Sequence, residues 1–218
     1  MKTIYLNSRG SDNNTGLNEG SPVATGRRAY DLAEPGDTIR VFAGEQYPNF
    51  LLGNEYGTFA KSNITVDRYG QEDAPNPLIL GIARAASHIH FQHGDGLPID
   101  NVTIRNLNFL AFQPTDPYAD VRGGAITAYC IGQNVVLENI NIEGYVGGMN
   151  LSSYIPGGFR NGLLRNVVVS DTYARLSRNG EGIVERTHSG GFFLSNTAGF
   201  ILADCAALNV GWQNNSEL

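Results

Sequence analysis

In a chain whose charged residues amount to only 17%, two stretches concentrate ionisable side chains. QPTDPYADVR (113–122) carries Asp116, Asp120 and Arg122, and TYARLSRNGEGIVERTHS (172–189) carries Arg175, Arg178, Glu181, Glu185, Arg186 and His188. Glu143 and Tyr145 lie between them in the sequence. Arginine offers a planar fork that grips a carboxylate through two hydrogen bonds, and histidine changes charge near neutrality. Together they suit removal of a proton from a carbon beside a carboxylate: a cation neutralises the acid, and a positioned base takes the α-proton. Arg122, Arg175 and Arg186 are candidates for the neutralising role, and His188 for the base. A calcium ion held by Asp116, Asp120 or Glu143 could share the neutralisation. Tyr118, Tyr145, Arg178, Glu181 and Glu185 are candidates for holding substrate. A hydrolase would instead need two carboxylates about 5 to 9.5 Å apart, which Asp120 with Glu181 or Glu185 could supply. The competing reading is of solvated loop charges that pair with one another to little effect.

Whether these stretches meet depends on the elements between them, and those are repetitive. One pattern, apolar, x, Asn or Asp, apolar, x, apolar, recurs as NVTIRNLNF (101–109), NVVLENINI (134–142), NGLLRNVVV (161–169) and GFILADCAA (199–207). It places Asn106, Asn139, Asn166 and Asp204 in register, 33, 27 and 38 residues apart. A Gly-Gly element recurs between them as GGAIT from Gly123, GGMNL from Gly147 and GGFFL from Gly190. Such strands cannot bury a face singly, so coil must stack on coil to share a core, which predicts a parallel β-solenoid. Apolar residues on both sides of each register Asn can point inward only if the chain bends there through a left-handed residue. These asparagines are expected to stack as a structural ladder at one corner. From register residue to the next Gly-Gly the chain takes 18, 9 and 25 residues (Asn106 to Gly124, Asn139 to Gly148, Asn166 to Gly191). Two long loops therefore leave one corner, two coils and roughly 10 Å apart, bounding a groove about as wide as a sugar chain.

TIRVFAG (38–44), SNITVDRYG (62–70), NPLILGI (76–82) and SHIHFQHG (87–94) fit the scheme more loosely and would form the first coils. Before them, PVATGRRAYDLAEPGD sets Ala29, Tyr30 and Ala33 on one side of a short helix closed by Pro35 and Gly36. That helix should cap the open end, where strand edges would otherwise be bare. The expected organisation is one domain over 1–218, with an N-terminal strand and capping helix over 1–36 and coils over 37–218. The last residues, NVGWQNNSEL, follow a strand without an evident cap. Either the chain is truncated relative to a longer molecule, or a partner subunit covers that end by self-association.

Composition narrows the partners. A net charge of −6, with 13 Arg and two Lys, argues against tracking nucleic-acid phosphates, which needs clustered basic residues. No apolar run reaches the length of a membrane span, and MKTIYLNSRG has no secretory apolar region. The 27 Gly and 22 Asn suit many turns through the left-handed region.

YLNSRGSDNNTG (5–16), SPVATGRRAYDLAEPGDTIRVFAGEQY (21–47) and ITVDRYGQEDAPNPLI (64–79), with the repeats from 101 onward, resemble bacterial and phage right-handed parallel β-helix proteins of the pectate-lyase-like superfold. The resemblance implies an all-β right-handed parallel β-helix with an N-terminal helical cap. It also implies a polysaccharide, preferably acidic, as partner, and an extracellular or virion-associated setting. Many such proteins are lyases, often calcium-assisted; others are hydrolases, epimerases or noncatalytic glycan-binding spike and adhesin modules, and the fold does not choose among them. The paired-aspartate, Gly-His-Gly and Arg-x-Lys motifs of polygalacturonase-like hydrolases and the Arg-x-Pro-x-x-Arg strand of typical pectate lyases are absent from the sequence, so no catalytic residue transfers by motif. The expectation is a lyase-type enzyme, with the noncatalytic glycan-binding or structural module as the alternative.

Lesser constellations read as structural. His88 and His90, with His93 and Asp95 beyond, have strand spacing for a metal, but with Ile89 and Phe91 facing the core both histidines are expected outside. Asp12, Asn14, Gly16 and Glu19 lack the full EF-hand spacing and read as a turn. Tyr47, Tyr56, Tyr118, Tyr145, Tyr154, Tyr173 and Trp212 could stack on sugars or pack on their own loops. Cys130 and Cys205 fall on coils too far apart for a disulfide and are expected free and buried.

Overall fold

The computed structural model describes residues 1–48, 50–54, 57–81, 88–92, 96–111, 124–174, 176–178, 184–186 and 190–212, with the backbone alone for 173–174, 176–178, 184–186 and 211–212. Among these residues the chain turns repeatedly through three sheets, and each return lays a strand parallel to one from the preceding coil. Sheet A stacks Thr3–Leu6, Thr38–Phe42, Thr65–Tyr69, Thr103–Leu110, Val136–Glu143, Leu163–Ser170 and Ile201–Ala203. Sheet B stacks Thr58–Phe59, Ile89–Phe91, Ile126–Tyr129, Gly147–Ser152 and Gly190–Ser195. Sheet C stacks the two-residue strands Ile99–Asp100, Gly132–Gln133, Phe159–Arg160 and Thr197–Ala198. The chain passes from A to B to C and back to A, which makes a parallel β-helix, right-handed as parallel crossovers are.

The bends in sheet A sit at the register residues. Asn106, Asn139, Asn166 and Asp204 have φ of 59°, 53°, 50° and 54°, a region that Asn and Asp enter more cheaply than other side-chain-bearing residues. Each bend resets the alternation, so that Ile104, Leu107 and Phe109, then Leu137, Ile140 and Ile142, then Leu164, Val167 and Val169 all face one continuous core. The side-chain amides of the bends meet one another. Asn166 Nδ2 donates to Asn139 Oδ1 (2.9 Å), and Asn139 Nδ2 donates to Asn106 Oδ1 (3.0 Å). Asn106 Nδ2 in turn donates to Asp67 Oδ1 (2.7 Å). Asp67, which can only accept, stands at the foot of the row and also holds Arg105 (2.8 Å) and Arg40 (3.3 Å). A second row at the C-to-A corner joins Asn134, Asn101 and Asn63 by bonds of 2.9 Å.

Sheet B has a register that the Gly-Gly spacing did not give. Gly147 pairs with Gly190, but Ile126 pairs with Met149, so the copy beginning at Gly123 is offset by one residue. The offset puts Ile126 and Ala128 inward with Met149 and Leu151; an unshifted pairing would have turned Thr127 and Tyr129 into the core.

The N-terminal end is closed by the chain itself. The segment before the helix covers the edge of the first strand, with Tyr5 N–H donating to Gly16 O (2.7 Å) and Val23 N–H to Tyr5 O (2.9 Å). The helix Gly26–Leu32 then turns Ala29 and Tyr30 inward, with Ala33 just beyond it. Its N-cap, Thr25, accepts from Arg28 N–H. Both oxygens of Asp12 are occupied by Thr25 and Ala24, which accounts for the acidic run as a turn. Lys61 Nζ donates to the terminal helix carbonyls of Tyr30 (2.6 Å) and Ala33 (2.8 Å), a favourable place for a cation. At the far end Leu202 is 48% exposed, although its register mates Leu164 and Leu137 are fully buried. Cys130 is buried and free; Cys205 is free but only partly buried, packed against the core edge.

Candidate functional site

Both long connections run from the end of a sheet A strand to the start of a sheet B strand. Glu143 pairs in register with Leu110 on one side and Ser170 on the other, so it stands between their roots. Asp116, Tyr118, Asp120, Arg122, Arg175, Glu181 and His188 lie outside the described residues, as do His93 and Asp95. Arg178, Glu185 and Arg186 are described in backbone alone, on an antiparallel strand pair that joins Arg178 to Val184 and Leu176 to Arg186. Glu143 is exposed, and no three Asp, Glu, His or Cys side chains among the described residues gather as a metal site.

Two expectations require correction. Tyr145, a candidate for sugar stacking, is only 7% exposed, and its ring closes the core beneath the corner rather than facing solvent. His88 does not lie outside with His90. It precedes its strand at the corner, is buried, donates from Nδ1 to Phe50 O (2.7 Å), and packs against Phe109 and Tyr145 at ring separations of 6.0 Å. Burial holds its pKa below the ordinary imidazole value, so it stays neutral. Tyr47 is likewise buried, bonded to Phe42 O (3.0 Å).

The described residues instead bring together a groove of about 400 Å³ on the outer face of sheet B. The alternation that sends Ile126, Met149 and Phe192 inward sends Thr127, Asn150 and Phe193 outward in one row, joined by His90 from the coil below. A second row, Tyr129, Ser152 and Ser195, lies toward the strand exits. Tyr154 flanks the groove, its ring 5.9 Å from that of Tyr129, and both rings are exposed. His90 is tied on both sides, Nδ1 to Thr127 Oγ1 (2.6 Å) and Nε2 to Gln92 Oε1 (3.0 Å). Ser152 Oγ donates to Asn150 Oδ1 (2.6 Å). Such a surface can hydrogen-bond hydroxyl groups and stack an apolar ring face. Of its aromatic residues, Tyr154 alone was singled out by sequence. Phe193 was legible as an outward position of its Gly-Gly strand, whereas the Gly-Gly alignment alone would have turned Tyr129 inward.

No protein-family model matches the chain, and no curated protein matches it in sequence. Solved structures do match in fold. The GH136 lacto-N-biosidase from Eubacterium ramulus superposes with a TM-score of 0.61 at 14% identity over 94% of this chain and 41% of its own. A rhamnogalacturonan lyase superposes with a TM-score of 0.55 at 15% identity over 95% of this chain and 51% of its own. The chain thus spans about half the length of these neighbours or less. Identities this low speak for architecture alone, and together with the parallel three-sheet coil they show a right-handed parallel β-helix.

Proposed function

We propose that the protein is polysaccharide-active and that a glycan chain lies across the outer face of sheet B, along the stack of coils. The observation that carries this reading is the groove itself: two exposed tyrosine rings and Phe193 beside a row of hydroxyl and amide groups, repeated from coil to coil. Sugars present the complementary surface, C–H faces ringed by hydroxyls. The fold neighbours named for lyase and lacto-N-biosidase activity support a polysaccharide or oligosaccharide as ligand. An extracellular or virion-associated setting goes with such a ligand, and no helix among the described residues is long and apolar enough to cross a membrane.

The chemistry belongs to the two loops that enter sheet B. In this reading Arg122, Arg175 and Arg186 neutralise a uronate carboxylate and His188 removes the α-proton, which makes the protein a lyase on an acidic glycan. Asp116, Asp120 and Glu143 would hold calcium if the reaction uses it. The amide rows in sheet A and at the C-to-A corner serve as a stiffening ladder that keeps the coils in register. The test is incubation of the chain with several polyuronates, with and without added calcium, read by unsaturated-sugar absorbance and by binding to the immobilised polymers. Binding with a rise in absorbance is expected. Binding without the rise would return the protein to a noncatalytic glycan-binding module, and no binding to any acidic or neutral polysaccharide would overturn the proposal.

A further inference from the structure

We infer that the sheet B groove receives a neutral sugar ring rather than a uronate. This inference rests on the polysaccharide-binding reading and narrows its substrate class. Among the described lining residues there is no Lys, Arg, Asp or Glu. A carboxylate seated there would give up part of its hydration with no Lys or Arg among the described lining residues to replace it, and His90 already has both ring nitrogens bonded, which is unfavourable.

The polar groups suit hydroxyls better than a carboxylate. The bond from Ser152 to Asn150 Oδ1 leaves Asn150 Nδ2 as a donor and the Ser152 oxygen as an acceptor. A sugar hydroxyl can both donate and accept, whereas an ionised carboxylate only accepts. Tyr129 and Phe193, 55% and 57% exposed, offer faces for the ring's C–H surface. The contrast with sheet A is direct: its outer face carries Arg40, Arg105 and Arg165, each already paired with Asp67 or Glu138. Tyr129, Ser152 and Ser195 are the last residues of their sheet B strands, so this row of the groove follows the strand exits.

Binding of the full chain to immobilised neutral polysaccharides (galactan, arabinan, galactomannan) and to polygalacturonate tests this at low and high salt. The expected result is salt-insensitive binding to at least one neutral polymer, weakened about tenfold by Tyr129→Ala and by Phe193→Ser. Ser195→Arg, which installs a cation, should shift preference toward polygalacturonate. Circular dichroism and melting confirm that each variant is folded. Binding to polygalacturonate alone, weakened about tenfold by Tyr129→Ala, would overturn the inference while leaving the proposed function standing; no binding to any polymer would remove both.

Discussion

Replacing Asn139 probes whether the amide row holds the coils together. The residue occupies the middle of the row, donating to Asn106 and accepting from Asn166, at a φ of 53°. Asn139→Ala removes two side-chain hydrogen bonds, each contributing about 0.5–1.5 kcal/mol. It also leaves a residue with an ordinary Cβ in the left-handed region, at a cost of about 1–2 kcal/mol. The sum is about 2–5 kcal/mol, a large part of the roughly 5–15 kcal/mol by which a domain is stable. At about 3 kcal/mol the melting temperature falls by roughly 6–12 °C for a chain of this size. Asn139→Gly separates the two contributions, because glycine enters the left-handed region freely and loses only the hydrogen bonds. Thermal melts followed by circular dichroism should therefore rank wild type above Gly and Gly above Ala. If both variants melt within about 1 °C of wild type, the amide row carries no stability and the reasoning fails.

Three further outcomes follow from the same structure. Asp204 occupies the next bend but has no N–H to offer Asn166 Oδ1, so Asp204→Asn should add a rung and about 0.5–1.5 kcal/mol, seen as a higher melting temperature. His88 is held neutral by burial, so as pH falls below about 6.5 the unfolded chain binds a proton that the folded chain resists. Its contribution is complete above that pH and lost below it; melts at about pH 7.5 and 5.5 should show a larger acid loss in wild type than in His88→Gln, which keeps a donor for Phe50 O. Burial pushes the Cys130 thiol up to about 12, so it should resist a thiol-disulfide reagent in the folded protein and react once denaturant is added. Rapid native labelling of Cys130 would contradict that placement.

Much of the solenoid was legible in the sequence because its signals are local and repeated. The interrupted alternation around Asn106, Asn139 and Asn166 demanded a left-handed bend, and apolar residues on both sides of it could share one core only in stacked coils. The helical pattern of Ala29, Tyr30 and Ala33 marked the cap for the same reason. The register of sheet B was less legible: two glycines lack side chains to declare a face, and the neighbouring apolar residues decide the offset through what they bury. Tyr145 and His88 were misplaced because both lie just before a sheet B strand, at a corner where strand alternation does not predict direction.

The amino-acid order alone determined that the chain coils, where it bends and which faces are apolar, since each follows from the preferences of neighbouring residues. Tertiary structure decided which outward side chains become neighbours. Tyr129, Asn150, Ser152, Tyr154 and Phe193 span more than 60 residues of sequence and share a groove only because parallel stacking brings successive coils to about 4.8 Å. No local pattern encodes that proximity; it arises when the inward faces choose their register, and the outward faces are carried along.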